Sequence, residues 1–319
     1  MQTLTYAAAA VSALDELMRA DANVVALGED LGRGGIFGQY RGLLERFGPA
    51  RVIDTPISEA TIGGAAVGMA LTGLKPVVEL RVVDFALCAM DEIINQAAKN
   101  RFMFGGQGRV PMVIRMPIGI WSSSAAQHSQ SLEAWFAHVP GLVVVCPATP
   151  QDNYSLLKAA ILSGDPVAYF EHKELWGLEG EVDPSLPGEL GRARIARPGR
   201  DLSIVSWSKA VHWSLEAAQA LAADGIDAEV IDLRTLWPWD RETVAASAAR
   251  TGRVLVAHEA VQVAGFGAEI VATLAENTTA KLARLGAPRA PVGYAPVLEA
   301  QNRVSPEKIV AAARRLMRG

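Results

Sequence analysis

Cysteine is scarce in this chain of 319 residues: there are two, Cys88 and Cys146, and they form no CxxC pair. Both sit among apolar residues, so a disulfide framework is excluded and reduced core thiols in a reducing compartment are expected. An excess of charge of one sign is missing as well. The 30 Lys and Arg against 34 Asp and Glu leave a formal charge of −4, which offers no footprint for nucleic acid or an anionic membrane. Long hydrophobic runs are absent. The longest uncharged apolar stretch, 60–74, carries four glycines and falls short of the ~18–20 residues a membrane span needs. The opening MQTLTYAAAAVSALDELMRAD has no basic leader, and Asp15 and Glu16 interrupt its apolar run. No signal or transit peptide is therefore expected, and the expected location is the cytoplasm.

Several catalytic motifs are also missing. GEDLGRGGIFG and VAGFGAEI are glycine-rich but do not have the GxGxxG spacing of a dinucleotide turn. There is no GxxxxGK[ST], no HExxH and no GxSxG, and the Cys and His spacing offers no zinc site. A self-contained Rossmann dehydrogenase, a P-loop enzyme and a serine hydrolase are thereby excluded.

What is present is an ordinary globular composition, 50% hydrophobic and 20% charged. At roughly 150 residues per domain the length predicts two domains. Short β-branched runs at 23–27, 76–81, 111–116, 142–147 and 166–170 alternate with helical periods at 7–20, 59–73, 86–103 and 150–162. Near-continuous apolar strands alternating with helices predict an α/β fold with a parallel sheet covered on both faces. The stretch 174–201 is rich in Gly, Pro and charge and reads as interdomain chain. A second α/β pattern follows, with strands at 202–207, 227–233, 252–258 and 290–296 and helices at 209–224, 240–250, 267–276 and 305–317. The expected division is a first domain over 1–185, a linker over 186–200 and a smaller second domain over 201–319.

Within the first pattern, DTPISEATIGGAAVGMALTG (54–73) sets one carboxylate, Glu59, in front of a run of small residues. On spacing alone Glu59 reads either as a solvent-exposed first-turn acid favoured by the helix dipole or as an acid pointed at a ligand. Ser58 is placed to cap the helix, and Gly63, Gly64, Ala65, Ala66 and Gly68 would let a second backbone or a flat ring come close. Ala60, Gly64 and Gly68 recur at four-residue intervals, which suits either close helix crossing at a subunit interface or packing within the domain.

Six ordered stretches together resemble one family. They are VVALGEDLGRGGIFG, RVIDTPISEATIGGAAVGMALTGLKPVVEL, DFALCAMDEIINQAAKNRFMFGGQ, AQHSQSLEAWFAHVPGLVVVCPATPQD, TGRVLVAHEAVQVAGFGAEI and YAPVLEAQNRVSPEKIV. Over most of the chain they are similar to the β subunit of the thiamine-diphosphate-dependent first component of 2-oxo acid dehydrogenase complexes. This is the pyruvate, branched-chain and acetoin group of the transketolase-like superfamily. The resemblance implies a pyrimidine-binding domain followed by a transketolase C-terminal domain. It also implies an α2β2 heterotetramer with a separate α subunit, and a contact with a lipoyl acyltransferase core.

It further implies roles for particular residues. Glu59 would be the acid bonded to N1′ of the cofactor's aminopyrimidine, which must hold or share a proton near neutral pH, as burial favours. Ile57 would border the same ring. Phe85 would stack on it, although a Phe at a strand-to-helix junction also reads as plain core. His128, in AQHSQS, would stand near the substrate carboxylate and the acyl acceptor as donor or proton relay; alone it reads equally as a structural histidine. His138, His172, His212 and His258 read as structural. No GDG motif for Mg²⁺ and diphosphate occurs, so the partner chain would supply most of the metal site.

Two departures stand out. Where the family has a glycine-rich loop before HSQ, this chain has PIGIWSSSAAQHSQ, with Trp121 and Ser122 to Ser124 in place of glycines. The family's K⁺ site would fall on Ala160, Ile161, Ser163 and Asp165, which match in position only. The altered loop keeps a second reading open, a split-chain transketolase or acyloin-forming enzyme with a sugar or aldehyde acceptor. A third reading is a non-catalytic paralogue, against which Glu59, Phe85 and His128 stand together.

Overall fold

The structure, a computed structural model, describes residues 1–318. Two compact units emerge. One comprises Met1–Ile118 and Trp135–Leu190, the other Gly119–Ala134 and the chain from Gly191 onward. The segment 119–134 thus leaves the first unit in mid-chain and clusters with the second.

The first unit runs β1 (Gln2–Thr5), α1 (Tyr6–Ala20), β2 (Val24–Gly28), α2 (Leu43–Phe47), β3 (Val52–Asp54), α3 (Glu59–Leu71), β4 (Lys75–Glu79), α4 (Ala98–Met103) and β5 (Val113–Arg115). After α5 (Glu133–Ala137) come β6 (Val143–Val145), α6 (Pro150–Leu162), β7 (Val167–Tyr169) and β8 (Glu179–Val182). Its main strands lie side by side in the order β6-β7-β5-β4-β2-β3, all parallel. The expected parallel α/β sheet is present. β2 is buried along its whole length, which is why VVAL carries no alternation.

Helix starts follow local chemistry. Thr5 Oγ1 accepts the Ala8 N–H at 3.1 Å at the start of α1, and Thr149 Oγ1 accepts the Asp152 N–H at 3.1 Å ahead of Pro150 in α6. On α1 the buried Ala9, Ala10, Ala13, Leu14, Leu17 and Met18 recur at helical spacing and pack into one core with Val24, Val77, Leu157 and Ile161. The helix expected over 86–103 is not uniform. A 3₁₀ segment at Val83–Ala89 and a π-turn segment at Glu92–Ala97 precede α4. Asp91 accepts side-chain amides from Asn95 and Gln96 there, and Asn100 Nδ2 donates to Gln96 O at 2.7 Å.

The second unit runs β9 (Arg194–Arg197), β10 (Leu202–Ser206), α7 (Lys209–Ala222), β11 (Ala228–Asp232), β12 (Thr235–Trp237), α8 (Arg241–Thr251), β13 (Arg253–Val261), α9 (Gly267–Asn277), β14 (Lys281–Ala287), α10 (Pro296–Asn302) and α11 (Pro306–Arg318). Its sheet is β14-β13-β10-β11-β9, parallel except for β9 on β11. The strand expected at 290–296 does not form. Pro291 and Pro296 cannot donate to a ladder, and the pairing partner of β13 is 281–287 instead. Lys281 and Arg284 on that edge strand are exposed, which hid its β character in the sequence. The segment 186–200 contains β9.

Candidate functional site

The β2 end stands between two neighbours, with Gly28 in register with Asp54 on β3 and Glu79 on β4. Chain connections diverge there: β2 leads outward to β3, and the following crossover returns past β2 to β4. In open parallel sheets, ligands sit at such a switch point, beyond the carboxyl ends of the strands. Close approach at this point demands glycine, because a Cβ on Gly28 would lie 2.6 Å from Glu79 O.

Three acids gather beyond that end. Glu29 is only 7% exposed. Its carboxyl is pushed above the ordinary range by burial, pulled back by Arg81, and pushed up again by the negative charges of Glu59 and Asp30. Arg81 bonds Asp30 at 2.5 Å and lies 3.9 Å from Glu29. Asp30 itself sits in left-handed backbone at φ +58°. Glu59 opens α3 and is half-buried. At this position an anion meets the positive end of the helix dipole.

Ser58 does not cap α3 as expected. Its hydroxyl donates to Thr61 Oγ1 at 2.8 Å and leaves the first-turn amides alone. Thr55 Oγ1, three residues earlier, is buried without a hydrogen-bond partner among the described residues. A buried hydroxyl of this kind is uncommon in a folded chain and calls for a partner. Ile57 projects beside it, 78% exposed. Phe85 is half-buried in the 3₁₀ segment that follows β4, and α3 packs against that segment. The first unit therefore brings Ile57, Glu59 and Phe85 to one end of one sheet and adds Glu29, Asp30 and Arg81. The added residues carried a readable signal: a GED triplet directly after a β-branched run puts carboxylates at a strand's carboxyl end.

His128 belongs to the second unit and is exposed. Its neighbour Ser129 is buried, with a hydroxyl that has no partner among the described residues. Ala160, Ile161, Ser163 and Asp165 lie together at the end of α6. There Ser163 Oγ donates to Ala160 O at 2.8 Å and Arg101 pairs with the Asp165 carboxylate. Among the described residues no group of three or more His, Cys, Asp or Glu is arranged to hold a metal ion. Cys146 is buried, but Cys88 is exposed, contrary to the expectation of a core thiol. It follows Phe85 by three residues on a segment whose outer side faces away from the core.

The outer face of α3 is open. Ala60, Gly64, Ala65, Gly68 and Leu71 are exposed, and a Cβ on Gly68 would meet nothing within 4 Å. Gly63 instead turns inward, where a Cβ would stand 3.0 Å from Glu92 Cβ. Among the described residues a Cβ on Gly64 would meet only Glu92 Cγ, at 3.7 Å, so the stripe of Ala60, Gly64 and Gly68 is largely uncovered.

A parallel sheet with acids at its switch point, followed by a smaller α/β unit, fits a chain of the transketolase class. Residues 2–177 match the transketolase pyrimidine-binding domain and residues 191–309 the transketolase C-terminal domain. The chain is 43% identical to the β subunit of acetoin:2,6-dichlorophenolindophenol oxidoreductase of Cupriavidus necator, over 96% of this chain and 95% of that one. It is 41% identical to the 2-oxoisovalerate dehydrogenase β subunit of Bacillus subtilis, over 99% of each chain. A solved chain described as a split-gene transketolase, inactive β4 tetramer, has the same fold, with a TM-score of 0.84 at 24% identity over 99% of this chain and 98% of that one. The chain belongs to the β-subunit family of the thiamine-diphosphate-dependent first component of 2-oxo acid dehydrogenases, the pyruvate, branched-chain and acetoin type.

Proposed function

We propose that this chain is the β subunit of a thiamine-diphosphate-dependent 2-oxo acid dehydrogenase, active in an α2β2 assembly in the cytoplasm. The observation that carries the reading is the acid pair at the switch point, a buried Glu29 whose carboxyl is raised in part by Glu59. The residues present suit a pyrimidine ring: a half-buried acid, an exposed aliphatic, a half-buried aromatic and the orphaned Thr55 hydroxyl lie at one sheet end.

Thiamine diphosphate, when bound, would supply the carbon nucleophile for the 2-oxo group and an electron sink for decarboxylation. The work of this chain is to prepare it. Glu59, opening α3, would be the acid that hydrogen-bonds the pyrimidine ring. Burial and the charge on Glu59 raise the Glu29 carboxyl, which would stand as a second acid beside the ring. Phe85 and Ile57 would cover the ring and keep water from it, which would strengthen the carboxyl's hydrogen bond. His128 donates to the substrate carboxylate or the acyl acceptor. In this reading the diphosphate and Mg²⁺ are held mainly by the α subunit, and the open face of α3 is where it docks. The acceptor would be a lipoyl disulfide, which oxidises the two-electron-reduced fragment as it takes it, one sulfur becoming acylated and the other a thiol.

The test is Glu59→Ala in the assembly purified with its α partner. Turnover of a 2-oxo acid is expected to fall at least ~10²-fold, the scale of a positioned acid–base group, with the assembly intact on gel filtration. Unchanged turnover would remove Glu59 from the mechanism. The glycine-free loop at 120–125 favours one alternative, an acyloin-forming enzyme with an aldehyde or sugar acceptor. A panel of lipoyl, aldehyde and sugar acceptors decides between them.

A further inference from the structure

Residues 119–130 form a closed loop in the second unit, tied at its ends where Gly119 N–H donates to Gln130 O at 3.1 Å. Two tight turns lie inside it: Ser124 N–H reaches Trp121 O at 3.1 Å and His128 N–H reaches Ala125 O at 3.4 Å. Three residues of this loop occupy left-handed backbone, Ser122 at φ +50°, Ser123 at φ +58° and Ala125 at φ +59°. Side-chain-bearing residues avoid that region because Cβ crowds the backbone, whereas glycine enters it freely. No glycine stands at any of the three positions. Contacts from outside the loop must hold it in this form.

Three side chains of the same unit make such contacts. Glu299 in α10, itself 7% exposed, accepts the Ser123 N–H at 2.7 Å through Oε2. Its other oxygen accepts from Arg303 Nη2 at 2.9 Å, and the same nitrogen reaches Ile120 O at 3.4 Å. Glu259 on β13 accepts the Ile120 N–H at 3.0 Å. A buried carboxylate receiving a backbone N–H is among the stronger hydrogen bonds in a protein, and here it acts on one of the strained residues directly.

We propose that Glu299, oriented by Arg303, is a positioning residue that holds the 119–130 loop, and with it His128, in the left-handed form glycine would otherwise supply. Only the activity arm of its test rests on the functional reading above. Glu299→Gln keeps the size of the side chain but turns an amide toward either Ser123 N–H or Arg303, donor against donor. In the full-length chain, the amide hydrogens of 120–125 should then exchange about tenfold faster or more, the scale of losing a charged hydrogen bond. Adding Ser123→Gly, which keeps the N–H and removes the crowding, should return exchange to within about threefold of the original chain. Arg303→Lys, which loses the fork but keeps the charge, is the second variant should Glu299→Gln fail to fold, and it should show the same glycine rescue. Unchanged exchange in Glu299→Gln overturns the proposal. Faster exchange throughout α10 and the sheet, without rescue by Ser123→Gly, overturns it too, because that marks a general structural role. In the α/β assembly, kcat is expected to fall about tenfold in Glu299→Gln and recover with Ser123→Gly. Loop exchange that responds and is rescued while kcat stays unchanged supports the loop assignment and removes His128 from the mechanism instead.

Discussion

Glu29 and Glu59 show how a single residue's environment sets its chemistry. A lone first-turn acid is worth under about 1 kcal/mol to a helix. Here the charge on Glu59 also acts on a second, buried carboxyl, Glu29, and adds to the rise that burial causes there. Two other buried groups make the pH response of this chain predictable. His258 is fully enclosed, stacks on Trp207 with ring centroids 5.0 Å apart, and is ringed by Gly265, Gly267 and Gly286, where any Cβ would come within 2.8 Å of the imidazole. Burial, only partly offset by the Ala260 carbonyl, pushes its pKa down to about 4. The unfolded chain takes up this proton near 6.5 and the native chain does not, so stability falls as pH drops from 6.5 towards 4. The loss reaches on the order of 3 kcal/mol. Thermal unfolding between pH 7 and 4.5 should show this slope in the original chain and a flatter one in His258→Asn; parallel slopes would refute it.

Glu79 has the opposite sign. It accepts from Gln39 Nε2 at 3.1 Å and Tyr40 OH at 3.0 Å, beside the buried Arg115–Glu171 pair. Burial raises its pKa to about 7, against the pull of Arg115 and with a further push from Glu171. Stability from this group is complete below its ordinary pKa and is lost as pH rises through 7. Glu79→Gln should therefore gain stability relative to the original chain between pH 5 and 8, read from the difference in unfolding temperature. A difference that shrinks over that range would reverse the assignment.

At the scale of elements, α3 carries the sharpest contrast. Its inner face, with Ile62, Gly63, Ala66 and Val67, is buried, while Gly64 and Gly68 are exposed and Gly68 looks into open space. Glycine inside a helix costs roughly 0.5–1 kcal/mol relative to alanine, so its presence on an open face needs a reason outside this chain. Gly68→Leu should leave the unfolding temperature of the isolated chain unchanged or raised, yet abolish co-purification of the α subunit. Retained co-purification would assign the stripe no interface.

Elements also show where sequence reading stops. The parallel strands were legible because burial on both faces requires continuous apolar runs. Edge strand 281–287 was not, because Lys281 and Arg284, three residues apart and so on opposite faces, are both exposed and break the apolar pattern. The proline-spaced 290–296 mimicked a strand in hydrophobicity while lacking the donors a ladder needs. Ser58 had the right residue type for a cap, but its hydroxyl found Thr61 instead, a choice set by side-chain rotamers that composition does not encode. In the loop at 120–125, three left-handed residues were invisible because serine and alanine give no sign of positive φ.

At the scale of the whole molecule, the crevice acids, the open α3 face and the missing GDG motif belong to one expectation, half a cofactor site. The isolated chain should bind thiamine diphosphate weakly by calorimetry and turn over no 2-oxo acid, and both activities should appear on adding the α subunit. Tight binding and turnover by the chain alone would end that reading.

The sequence by itself determined the α/β class, the parallel sheet and the placement of Glu59 and Phe85 after strands, because hydrophobic periodicity and motif order act along the chain. Tertiary structure alone decided that 119–134 joins the second unit, that Glu29 stands within reach of the charge on Glu59, and that Glu299 grips a loop some 176 positions away in sequence. Those facts depend on which distant segments share space, and burial, charge coupling and backbone strain take their values only there.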